Sequence, residues 1–97
     1  MTKEEIIEIL DEAIFWDGLD GAIIGIAERA NLSVVAYDVL KILMILMVDM
    51  EVDESDLEEG QSIEDVKYFM ALEYYDFNIA NAWVGENTPV HIRLNEY

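Results

Sequence analysis

Carboxylates set the terms on which this chain can fold. Asp and Glu number 22 against five basic residues, Lys3, Arg29, Lys41, Lys67 and Arg93, for a formal net charge of −17. A designed surface at this length carries a charge of magnitude roughly 2 to 8. Self-repulsion beyond that costs stability, so a fold must set a substantial apolar core against it. The core is available, because 54% of the residues are hydrophobic and they are spread along the whole chain. That is too apolar for a disordered polymer, despite the charge. A chain this short encloses a single core, so residues 1–97 are read as one acidic domain.

Hydrophobic periodicity orders the elements. Thr2 with Glu5 fits a capping box, and Ile6, Ile7, Leu10, Ala13 and Ile14 then recur at helical spacing. This predicts a helix over about residues 3 to 15, broken by Asp17-Gly18. Leu19 to Glu28 reads as a strand in which Gly21 and Gly25 mark a bulge or a close backbone approach. Val34 to Tyr37 reads as its neighbour across a loop at 29–33. Asp38 can cap the next element. Val39 to about Met50 is apolar almost all round, and its length and its Leu and Met content favour a helix. Such a helix must be covered on every side, which points to a homodimer built through residues 39–50, the plain alternative being that it forms the central helix of one domain.

Residues 49–60 form an acidic connection, after which Ser62 with Asp65 gives a second cap signature. The helix beyond it should run towards Gly85, with Pro89 confirming that it has ended. Ile63, Val66, Phe69, Met70, Tyr74 and Phe77 lie along one side of it, and Leu72, Tyr75, Ile79 and Trp83 widen the stripe. Val90, Ile92 and Leu94 alternate with His91 and Arg93 as a last strand. The expected class is α+β: a small three-stranded, mainly antiparallel sheet packed by three helices, in the order α-β-β-α-α-β.

Several chemistries are disfavoured. Cysteine is absent, so neither disulfides nor thiolate metal sites are available. An EF-hand frame started at Asp49 puts Glu54 where the turn glycine belongs and Gly60 where the bidentate Glu belongs. His91 is the single histidine, and no nucleophile motif surrounds Ser33, Ser55 or Ser62, so it reads as a strand-surface residue. Carboxylate pairs such as Asp17 with Asp20, or Glu73 with Asp76, arise by chance at this acid content. Gly18, Gly21 and Gly25 match neither a dinucleotide fingerprint nor a phosphate loop. The expectation is therefore a protein without catalytic residues, metal or cofactor. The N-terminus lacks a signal-peptide pattern, and the longest apolar run, Ile42 to Val48, falls far short of the roughly 20 residues a membrane span needs. A soluble, cytoplasmic protein is expected.

Direct nucleic-acid binding is disfavoured too, because five scattered basic residues cannot neutralise a phosphate backbone. The inverse reading is more productive. Duplex DNA carries one charge per roughly 1.7 Å of axis. Carboxylates on the first helix, the 49–60 connection and the last helix could present a comparable line to a basic protein. Glu51, Asp53, Glu54, Asp56, Glu58 and Glu59 are the candidate partner contacts. Trp16, Tyr74, Tyr75, Trp83 and Tyr97 are candidate aromatic anchors. Unspecific solubilising charge is the plain alternative. Halophilic adaptation fits poorly with the abundance of large Ile, Leu and Met residues.

The stretch Ala71-Leu72-Glu73-Tyr74-Tyr75-Asp76-Phe77-Asn78-Ile79, then Ala82-Trp83-Val84-Gly85-Glu86-Asn87-Thr88-Pro89, resembles a segment of small uncharacterised bacteriophage proteins. Asp17-Gly18-Leu19-Asp20, Ala22-Ile23-Ile24-Gly25 and Tyr37-Asp38 are similar to the same group. The acidic 49–60 stretch is longer than the corresponding connection there. The resemblance implies a phage or prophage origin and brings no activity with it. The favoured expectation is an acidic interaction protein that mimics DNA and inhibits a basic host protein that binds nucleic acid, such as a defence protein. A structural or assembly adaptor of a phage particle, or a small-ligand-binding dimer, is the alternative.

Overall fold

The computed structural model describes residues 1–94, in an α+β fold with the expected element order. Helix α1 spans Lys3–Ile9, strands β1 and β2 span Ile23–Arg29 and Leu32–Asp38, and helix α2 spans Val39–Val48. Helix α3 spans Ile63–Asn78 and strand β3 Val90–Ile92. The sheet order is β1-β2-β3. The longer pairing, β1 with β2, is antiparallel from Ile23↔Tyr37 to Arg29↔Leu32. The shorter one, β2 with β3, is parallel from Ala36↔Val90 to Asp38↔Ile92.

Local chemistry explains most boundaries. Thr2 and Glu5 close the expected capping box on α1. The ladder register shifts between Ile23 and Gly25, a bulge or irregularity at one of the two glycines flagged in that strand. The hairpin is tighter than a five-residue loop. Ala30 and Asn31 turn the chain alone, both at positive φ (50° and 68°), as a primed two-residue turn requires. Asp38 caps α2 by accepting the amide hydrogens of Leu40 and Lys41, and Ser62 caps α3 by accepting that of Asp65.

The last strand stops at Ile92, short of the expected Leu94, and three other elements depart further from their expected bounds. α1 stops at Ile9, not near residue 15, because the segment after it is drawn into the core. The Trp16 amide donates to the Tyr37 hydroxyl at 2.8 Å, and Leu10, Ala13, Phe15 and Trp16 pack against the core in irregular backbone. The first strand begins at Ile23, since Asp20–Ala22 forms a 3₁₀ turn behind buried Leu19. α3 ends at Asn78, not at Gly85. The Asn78 side-chain amide donates to the Tyr74 carbonyl, and Ile79 and Ala80 both donate to the Tyr75 carbonyl. The last-turn carbonyls thus find partners early, and residues 79–84 turn back towards the hairpin.

β2 is the central strand, and every residue from Val34 to Asp38 is buried. The core joins it to one side of each helix through Ile6, Ile42, Leu43, Ala71 and Tyr75. The body measures 49 × 23 × 23 Å. Its radius of gyration of 15.5 Å exceeds the ~13 Å of a compact 100-residue domain. The molecule is elongated, about twice as long as it is wide. Among the described residues no helix is long and apolar enough to cross a membrane.

Candidate partner-binding surface

Carboxylates occupy the exterior almost without exception. Among the described residues every Asp and Glu is exposed except Asp38, which caps α2. Glu4, Glu5, Glu8, Asp11 and Glu12 line α1 and the segment after it. Glu64, Asp65, Glu73 and Asp76 lie along α3. Glu51, Asp53, Glu54, Asp56, Glu58 and Glu59 are exposed together on the short connection between α2 and α3.

That connection is not slack chain. Asp53 opens a 3₁₀ turn at Glu54–Asp56, and its carboxylate accepts from both the amide and the hydroxyl of Ser55, at 3.0 and 2.9 Å. These two donors hold the Asp53 carboxyl below the usual aspartate range. Glu58 and Gln61 close a second turn reciprocally, the Glu58 amide donating to the Gln61 side chain and the Gln61 amide to the Glu58 carbonyl. Val52 and Leu57 are half-buried between its charges. Among the described residues no Lys or Arg forms an ion pair with any of these six carboxylates; the ion pair present is Lys3 with Asp20, at 3.7 Å. Nor do three acidic or histidine side chains there gather closely enough to hold a metal ion.

His91 departs from the sequence-based expectation. It is a half-buried residue at the centre of an aromatic cluster, not a strand-surface residue. Trp16 Nε1 donates to His91 Nε2 at 2.9 Å, and His91 Nδ1 meets the Tyr75 hydroxyl at 3.1 Å. The Tyr37 ring stands edge-on to the imidazole, 6.4 Å between centroids. An indole nitrogen can only donate, so Nε2 accepts, and the neutral ring carries its proton on Nδ1, facing Tyr75. Burial pushes the imidazole below its ordinary pKa. With both nitrogens committed, this histidine ties Trp16 and Tyr75 of α3 to β3. The available sequence signal was the demand of Trp16, Tyr37 and Tyr75 for polar partners once buried.

The other aromatic candidates divide. Tyr75 is buried, Trp16 is half-buried, Tyr74 and Trp83 are exposed, and Tyr97 lies outside the described residues. Trp83 carries the Arg29 guanidinium 5.0 Å from its ring centroid, while Arg29 donates to the Glu86 carbonyl. Beside them Asn81, Thr88, Pro89 and His91 help to line an open concavity of ≈ 470 Å³.

α3 departs from the expected single wide stripe. Ala71 and Tyr75 are buried, with Tyr68 and Leu72 beside them, whereas Phe69, Met70, Tyr74 and Phe77 face solvent. α2 likewise is covered on one side only: Val39, Ile42 and Leu43 are buried, while Met44 and Val48 are exposed.

No protein-family model, no curated protein and no solved structure matches the chain.

Proposed function

We propose that this chain is an acidic interaction protein that mimics DNA. It would occupy the basic groove of a host protein that binds nucleic acid and thereby inhibit it. The observation that carries the reading is a set of exposed carboxylates with no Lys or Arg ion-pair partner among the described residues, on a long, narrow body. The chain's net charge of −17 over a 49 Å axis amounts to one net charge per about 3 Å. Duplex DNA carries one per roughly 1.7 Å, and a single strand one per roughly 3.4 Å. The line charge therefore falls within the range a basic groove is built to neutralise. Such a groove gains from Glu51, Asp53, Glu54, Asp56, Glu58 and Glu59 because the backbone from Asp53 to Gln61 is already folded into turns, so less chain ordering opposes their capture. The resemblance to phage proteins suits the same role, since a phage product acts in the cytoplasm of its host.

Capture from host lysate on the immobilised chain, eluted by a salt gradient, tests the reading. The expected result is a basic, nucleic-acid-binding protein that leaves the column as salt rises and that duplex DNA displaces. Replacing the six carboxylates by Gln or Asn should weaken the complex at least tenfold and flatten its salt dependence. Capture that ignores both salt and DNA, or that the neutralised chain retains in full, would remove the mimic and favour an assembly adaptor.

A further inference from the structure

The outward side of α3 is the least expected surface of the molecule. A helix on the exterior of a monomer normally shows one apolar stripe to the core and polar residues to water. α3 has a second stripe. Met70, Tyr74 and Phe77 succeed one another at i, i+4 and i+7, continuing the line of Ile63 and Val66. Phe77 is 83% exposed, Phe69 64% and Tyr74 49%. Met50, just past the end of α2, joins Met70, Tyr74 and Phe77 around an open concavity of ≈ 350 Å³ whose polar lining is Glu73 and Asn78. Ile45 and Leu46 of α2 continue that surface on the other side of Tyr74, with Asp17 and Asp49 at its edge.

We propose that this face of α3 is the interface of a homodimer, with a second copy of the chain as its occupant. Area is the first argument. An aromatic side chain offers 150–250 Å², so the exposed parts of Phe69, Tyr74 and Phe77 leave roughly 400 Å² of apolar surface open to water. Met70, 40% exposed, and the parts of Met50, Ile45 and Leu46 that line the same surface add to this, so that two such faces together approach the ~1,000 Å² that a specific interface needs. An apolar patch of this size is at the upper end for a monomer, where such patches are often functional.

Charge is the second argument. Two copies at −17 repel wherever their carboxylates meet. The concavity has Glu73 as its one charged lining residue, so two copies that meet there bring few carboxylates together. The dimer thus uses α3, with the end of α2 at its margin, in place of a seam running along residues 39–50. The proposal is independent of DNA mimicry and responds to salt with the opposite sign. Screening weakens a complex with a basic partner but strengthens association of two like-charged chains.

Sedimentation equilibrium on the full chain over a concentration series, at low and high NaCl, is the test. A reversible dimer is expected, tightening as salt rises. Phe77→Asp and Met70→Asp should each weaken it at least tenfold; Phe77→Asp, at a side chain 83% exposed, should leave the circular dichroism spectrum and urea midpoint of the monomer unchanged. Glu73→Gln should tighten it severalfold. A chain that stays monomeric at every concentration and salt, or a dimer indifferent to Phe77→Asp and Met70→Asp, would overturn the proposal. A dimer lost only on Met44→Asp would overturn it as well, by placing the seam on α2.

Discussion

Around His91 each polar atom has its own partner. Trp16 Nε1 meets Nε2, Tyr75 meets Nδ1, and the Trp16 amide meets the Tyr37 hydroxyl. Between Glu51 and Glu59 six carboxylates stand in water with no basic partner among the described residues. The difference arises from dielectric surroundings. An unpaired polar group in the interior costs its full desolvation, whereas an exposed charge costs only weak, screened repulsion. The cluster is therefore expected to hold the fold, and the connection to answer to partners and salt. Substitutions in the two regions should separate accordingly.

The largest effect belongs to the cluster. Tyr75→Ala removes a buried ring that joins α3 to the core and ends the contact with His91, and about 3–5 kcal/mol should be lost, read as a fall in the urea midpoint. Tyr37→Phe keeps the ring and deletes one oxygen. The Trp16 amide then has no acceptor, and destabilisation of about 1–3 kcal/mol is expected at unchanged denaturant slope. If Tyr37→Phe were neutral, the polar pairing of the cluster would be incidental to its packing.

Acidification is expected to act next. His91 is held neutral in the fold, below its ordinary value of 6.5, while the unfolded chain titrates normally. Above that value the imidazole is neutral in both states and its contribution is complete. As pH falls through it the unfolded state takes the proton first, and stability drops by at most about 1.4 kcal/mol per pH unit until the folded ring protonates too. Protonating Nε2 would also set an N–H against the Trp16 N–H. Denaturation curves at several pH values should show this slope, and His91→Gln should remove it. Glu5 and Asp53, held low by their turn hydrogen bonds, act in a separate window. Their contribution is lost only as pH falls below the ordinary carboxylate range.

The two regions also differ in how far sequence reveals them. Thr2, Asp38 and Ser62 are legible as caps because a cap acts on amides two or three residues away. The element order is legible for a similar reason, since apolar periodicity is a local property. The exposure of the six carboxylates is a consequence of their charge. The end of α1 is not legible, because Trp16 is claimed by Tyr37, 21 residues on, and by His91, 75 residues on. Nor is the side of α3 that becomes buried. Both stripes have helical spacing, and only the packing of α2 chooses Ala71 and Tyr75 over Met70 and Phe77. From spacing alone the two merge into one broad face, which conceals the apolar surface that remains open.

The smallest effect on the fold should come from the connection, and its smallness is informative. Exchanging its six carboxylates for Gln and Asn touches no buried group, and Asp53→Asn keeps an oxygen that can accept from Ser55. Asp53 apart, whose carboxylate is favoured by its bonds to Ser55, each replacement should have only a small effect on stability, in the stabilising direction, because like charge is removed from a crowded surface. The gain should be clearest at low salt and fade as the Debye length shrinks to ~10 Å near 0.1 M. Thermal denaturation of both chains across a salt series would display it as two curves converging. Curves that run parallel would mean that these charges do not feel the rest of the surface. A destabilised variant would mean that the carboxylates support the turn itself, and the division of labour between cluster and connection would then fail.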